Sequence, residues 1–161
     1  MLRPACVLAL VLAASAPAAH AHDPAPAARS EGVVAPEAEA AADVVDRFHA
    51  ALRAGDTDGA LALLAEDVLI LEQGGAERSR DEYAAHHLGA DAAFAAAVPE
   101  IRLRRAGWAE GDIAWIATEG RTTGTYEGRA VDRLTVETMV LQRGPEGWRI
   151  RHVHWSSRAA Q

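Results

Sequence analysis

The chain has 161 residues and a net charge of −7, half of its residues are hydrophobic, and no lysine occurs in it. An acidic chain without a basic patch lacks the electrostatic surface that nucleic acid requires, so no nucleic-acid partner is expected. Its single cysteine, Cys6, falls in the leader, which leaves the mature protein without disulfides or thiolate chemistry.

Residues 1–21, MLRPACVLALVLAASAPAAHA, read as a signal peptide: Arg3 is the positive start, Cys6 to Ala14 the apolar stretch, and Ala19-His20-Ala21 the small-residue cleavage site. The apolar stretch is too short to span a bilayer, and the expected destination is secreted or periplasmic. Residues 22–36, rich in proline and alanine and without periodicity, are expected to form a flexible arm.

The domain, residues 37–158, opens on a helix. Pro36 suits its first turn, Val44, Val45, Phe48, Ala51 and Leu52 recur at helical spacing, and Gly55 ends it. Thr57 is the expected cap of a second helix, DGALALLAED. VLILEQ, residues 68–73, changes to strand character and turns at Gly74-Gly75. Ser79 stands three residues before Glu82, the spacing of a capping box, at the head of a third helix expected to bend near Gly89 and to end before Pro99. From there IRLRRAGW, DIAWIATEGRTT, RLTVETMVLQR and GWRIRHVHWSS read as strands joined by short turns, which favours antiparallel neighbours. The resulting fold class is α+β: a cone-shaped, curved antiparallel sheet closed by N-terminal helices.

The opening helix with Val45, Phe48 and Leu52, the stretch GDTDGALALLAEDVLI, the segment SRDEYAAHHLGA and the terminal GWRIRHVHWSSR together resemble the nuclear transport factor 2-like superfamily, and within it the SnoaL-like and DUF4440-type domains. The resemblance implies a cystatin-like roll with a pocket between sheet and helices, and a homodimer through the outer sheet face. It implies a range of activities, from isomerases, dehydratases and cyclases to ligand binders and association domains. The aspartate, tyrosine and protonated-acid trio of the isomerase-like members does not map onto this chain residue by residue.

Strand alternation puts Trp148, Ile150, His152, His154 and Ser156 on one side of the last strand and Arg149, Arg151, Val153, Trp155 and Ser157 on the other, unless a bulge intervenes. With Trp148 and Ile150 inward, His152 and His154 line the cone. There they serve as acid and base, as metal ligands with a third group from Glu72 or His87, or only as hydrogen-bonded core groups. Glu72 shares a face with Val68 and Ile70, and burial there would suit it to proton transfer. Glu119 and Glu137 are expected on the exposed face, paired with arginines. Tyr83 and His87 lie four residues apart on one helix face and His86 points elsewhere.

The candidate catalytic set is therefore His152, His154, Glu72 and Tyr83. The candidate ligand-binding set is His87, His86, Trp108, Thr118, Thr138 and Arg158. No nucleotide loop, HExxH, nucleophile elbow or CxxC pair occurs, so no cofactor is expected. Three readings follow: a small apolar or weakly polar molecule bound in the cone, with isomerase- or lyase-like proton transfer; a metal-dependent variant using the histidine pair; or a dimeric association module without catalysis.

Overall fold

Turn chemistry and apolar periodicity set the elements of the computed structural model, which describes residues 32–160; the segments read above as a signal peptide and most of a flexible arm fall outside the described residues. A single 3-10 turn, Pro36–Ala38, with proline at its start leads into α1, Glu39–Ala54, whose Val44, Val45, Phe48 and Leu52 are buried. After Gly55, α2 runs only from Thr57 to Leu61. Its cap is Asp56, not Thr57: the Asp56 carboxylate accepts from the Gly59 N–H at 2.9 Å. The apolar run that follows already belongs to β1, Leu64–Glu72, so the second helix is half as long as its stripe suggests.

β2, Gly75–Glu77, folds back on β1 across Gln73-Gly74, both at positive φ (48° and 85°), the signature of a two-residue turn matched to the twist of the strands. α3, Arg80–His86, begins as its sequence predicts: Ser79 Oγ accepts from the Glu82 N–H at 3.0 Å. The helix breaks at His87 instead of at Gly89, and α4 follows from Leu88 to Ala97.

β3 (Glu100–Glu110), β4 (Ile113–Tyr126), β5 (Arg129–Gly144) and β6 (Gly147–Ala159) form the expected antiparallel meander. The sheet has six strands in the order β2-β1-β6-β5-β4-β3, so β6 returns to pair in parallel with β1 in the middle. Residues 33–35, the end of the segment read as a flexible arm, lie against the edge of β3: the Ala35 N–H donates to Gly107 O at 2.9 Å and the Gly107 N–H to Val33 O at 3.3 Å.

The helices cover one face of the curved sheet, and the floor beneath them is one cross-strand row, Gly107–Ile116–Met139–Val153–Ile70–Glu77. Phe48 closes on it from α1, fully buried and stacked on Trp155 at 6.3 Å between ring centres. The floor of the cone is thus packed with side chains. Two clefts of the described surface lie elsewhere, along α1 beside Asp43 and Arg47 and at the β4–β5 hairpin beside Tyr126 and Arg129.

Phe48→Ala removes the largest apolar side chain joining α1 to the sheet and is expected to cost about 3–5 kcal/mol of unfolding free energy. Urea denaturation followed by circular dichroism measures it; a loss below about 1 kcal/mol would show that α1 is held mainly by its polar ties.

Candidate functional site

The last strand decides which groups face the cone. Val140 pairs with His152 and Leu141 with Ile150, so Arg151 is an extra residue, a β-bulge that reverses the alternation after Ile150. Trp148 and Ile150 face inward as expected, but beyond the bulge the inward residues are Val153 (0% exposed) and Trp155. His152 and His154 therefore stand on the convex face, contrary to the uninterrupted alternation. His152 Nδ1 lies 2.9 Å from Leu69 O, and exposed His154 sits between Leu71 and Thr138. Trp108 and Thr138 share that outer face. Arg158 is exposed near the end of β6, its guanidinium donating to Ala159 O at 3.2 Å, and His86 is exposed at the end of α3.

Above the apolar floor the next inward row is polar: Arg105–Thr118–Glu137–Trp155–Glu72, one residue from each of five adjacent strands. Thr118 and Glu72 face inward, as Glu72's parity with Val68 and Ile70 predicts, and Thr118 Oγ1 accepts from Arg105 Nε at 3.1 Å. Glu137 is 8% exposed; it lies in the interior and not on the outer face, because it shares parity with Met139 and Leu141.

α1 closes this row with two residues one turn apart. Asp46 accepts from Arg105 Nη1 at 2.7 Å and also binds Arg102. His49 Nε2 lies 2.7 Å from Glu137 Oε2, which also accepts from Trp155 Nε1 at 2.8 Å. Burial alone would lower the His49 pKa, but the charge and hydrogen bond of Glu137 outweigh it and hold the imidazole above its ordinary value. Burial likewise pushes Glu137 up, yet His49, then the Trp155 N–H, keep its carboxyl below the usual range. Each partner favours the charged form of the other. The carboxylate is buried, the imidazole ring is 20% exposed, and Glu137 Oε1 has no hydrogen-bond partner.

A second cluster stands at the β1 end of the row. Tyr83 is fully buried and its hydroxyl donates to Asp91 Oδ2 at 2.9 Å. Burial pushes Asp91 up to about 6; the Tyr83 hydrogen bond opposes the rise and the charge of Glu72 adds to it. Burial, then Asp91, also raises the Tyr83 phenol above its ordinary value. His87 pairs through Nδ1 with the buried Glu77. Among the described residues no three His, Cys, Asp or Glu side chains converge as a metal site; the His152/His154 pair does not meet Glu72 or His87.

The structure thus brings Glu72 and Tyr83 to the inner side, with Thr118 in the same row, and adds His49, Asp46, Asp91, Arg105, Glu137 and Trp155; His87 reaches the buried Glu77 from an exposed position at the margin. The parity of Glu137 with Met139 and Leu141 is a signal the sequence carries. The inward turn of Trp155 is hidden by the bulge.

Asp91 yields a test of the cluster. Burial holds its folded-state pKa above the usual carboxylate range, so it favours the fold while protonated, and that contribution is lost as pH rises through about 6. Asp91→Asn keeps an acceptor for Tyr83 and abolishes the ionisation. It is expected to raise Tm by about 2–6 °C above pH 7 and to leave it unchanged near pH 4. An equal shift at both pH values would contradict the electrostatic origin.

Comparison with known proteins agrees with this architecture. The "putative ketosteroid isomerase" of Shewanella frigidimarina is 41% identical, matching 73% of this chain and 94% of that one with a TM-score of 0.70. A "putative dehydratase" of the NTF2-like family from Streptomyces avermitilis (22% identity, 77% and 97% coverage, TM-score 0.63) and the S. rosetta CaMKII hub (19%, 78% and 100%, 0.64) share the fold. No curated protein matches. The model of the SnoaL-like domain matches residues 41–160, and the chain, nuclear transport factor 2-like in fold, belongs to the SnoaL-like domain family.

Proposed function

We propose that this is an exported small-molecule enzyme with isomerase- or lyase-like proton transfer, worked by the His49–Glu137 pair over the polar half of the inner sheet face. The observation that carries the reading is the pair itself: a buried carboxylate 2.7 Å from a partly exposed imidazole whose pKa it raises. Imidazole exchanges protons near neutral pH, and a carboxylate behind it fixes its orientation and stabilises the imidazolium. Trp155 fixes the carboxylate in turn. His49 Nε2 faces Glu137, which leaves Nδ1 as the nitrogen turned from it. Through Nδ1 neutral His49 takes the proton from the carbon between the substrate's carbonyl and its double bond, and as imidazolium returns it to the far carbon of the shifted double bond, while Glu137 holds the ring throughout. The name of the 41% identical Shewanella protein supports this class of reaction, and the leader sequence supports export.

A second reading, association of two copies, rests on the convex face. Trp108, Trp115, Val140, His152 and Leu69 form one outer row, with Trp108 43% and Trp115 38% exposed. On that face Arg121 is matched within the chain, to Asp132 at 2.8 Å, and Trp108 and Trp115 form an apolar centre suited to a second copy. The two readings are compatible.

With a β,γ-unsaturated 3-ketosteroid as probe, isomerisation and deuterium uptake from solvent are expected, and His49→Ala is expected to slow both about a hundredfold or more. Full turnover by His49→Ala would overturn the assignment. Sedimentation of the mature protein at about 100 μM is expected to show a dimer that Trp115→Arg converts to monomer; a wild-type monomer would remove the second reading.

A further inference from the structure

The bulge at Arg151 leaves two imidazoles in the middle of a surface that is otherwise uncharged. His152 stands in the outer row of Trp108 and Trp115, and beside it runs a second row, Ala106–Ala117–Thr138–His154–Leu71. Apart from the two histidines, no residue of either row is ionisable. The rings are flanked by Leu69 and Leu71 from β1 and by Val140 and Thr138 from β5. The nearest charges are already answered, Arg151 by Asp67 of β1, and Glu119 of β4 by Arg104 at 3.5 Å. A carbonyl oxygen only accepts, so His152 Nδ1 carries its hydrogen toward Leu69 O, and Nε2 is the nitrogen that takes up a proton.

The occupant this band fits is a second copy of the chain. A chain of net charge −7 repels its own copies except where it presents no charge, and these two rows are such a place. Five adjacent strands at about 4.8 Å and the rows from exposed Ile113 to exposed Val136 at about 6.8 Å cover on the order of 600 Å² in plan. That approaches the roughly 800 Å² each partner buries in a standard interface.

We infer that pairing of two copies through this face is released by acid, with His152 and His154 as the switch. The inference rests on the second reading above, association through the convex face, and adds its control. Under a second copy a neutral imidazole is tolerated, whereas an imidazolium loses its water with no carboxylate in either row to answer it. Two-fold pairing brings both rings of each copy into one contact. Association therefore favours the unprotonated rings: it is present above about pH 7.5 and is lost as pH falls through the range near 6.5 where imidazole titrates. At about 0.15 M salt the repulsion between two acidic copies is screened beyond about 8 Å, so the charge on the rings themselves decides.

Sedimentation equilibrium of the mature protein in about 0.15 M salt is expected to give a dimer dissociation constant at least about tenfold larger at about pH 5.5 than at about pH 7.5. The double substitution His152→Asn with His154→Gln keeps a donor for Leu69 O and removes both ionisations; it is expected to dimerise equally at the two pH values. Equal or tighter pairing of the wild type in acid, or acid release that persists in the double variant, overturns the inference and leaves the pairing standing. A monomer at both pH values overturns the pairing, and the inference falls with it. The wild type alone supplies a second measurement, because protons and the second copy compete for the same face. Followed by NMR of the imidazole C–H signals, dilution from about 1 mM to about 20 μM is expected to shift the titration midpoints of both rings upward by about 0.5 pH unit or more. Midpoints independent of concentration in a protein that dimerises overturn the inference.

Discussion

A carboxylate cannot sit dry on the inner face of a sheet without a partner, and Glu137 is where this fold meets that constraint. Its partner, His49, comes from α1, so the ion pair also fixes where α1 crosses the sheet. Asp46, one turn earlier, makes the corresponding tie to Arg105 of β3. The helix is thus pinned at two points of one row, while Phe48 between them supplies the apolar contact. Packing alone tolerates small slides of a helix over a smooth apolar floor; paired charges at fixed positions do not. The same contacts that could perform chemistry give the roof its register.

Much of the fold was legible because it follows from local rules. The meander was readable from short turns, α1 from its apolar stripe, and the head of α3 from Ser79 and Glu82. The return of β6 to pair with β1 is a long-range arrangement that no local pattern records. The length of α2 was misread for a related reason: Leu61, Leu63 and Leu64 suit a helix stripe and a buried strand equally.

The site was less legible, and the causes are particular. Arg151 carries no mark of a bulge, yet it shifts every later residue of β6 to the opposite face, exchanging His152 and His154 for Val153 and Trp155. Glu137 looked like a surface charge because glutamate is seldom buried, although its spacing from Met139 and Leu141 pointed inward. His49 follows Phe48 in a helix, and only the neighbouring strand shows that it meets a carboxylate. Glu72 faces inward as its parity with Ile70 predicts, because the register of β1 is regular from Leu69 to Glu72 and its irregularity lies before Leu69.

The extra residue at Arg151 also bears on how such a domain changes over generations. Loss of that one codon would transpose the two surfaces of the distal strand in a single event, turning imidazoles toward the roof and an indole toward the outside. Point substitutions could reach the same exchange only through several intermediates with a polar group stranded in the interior. Length variation at this position is therefore a short route by which related domains could trade one set of interior groups for another while leaving the backbone framework in place.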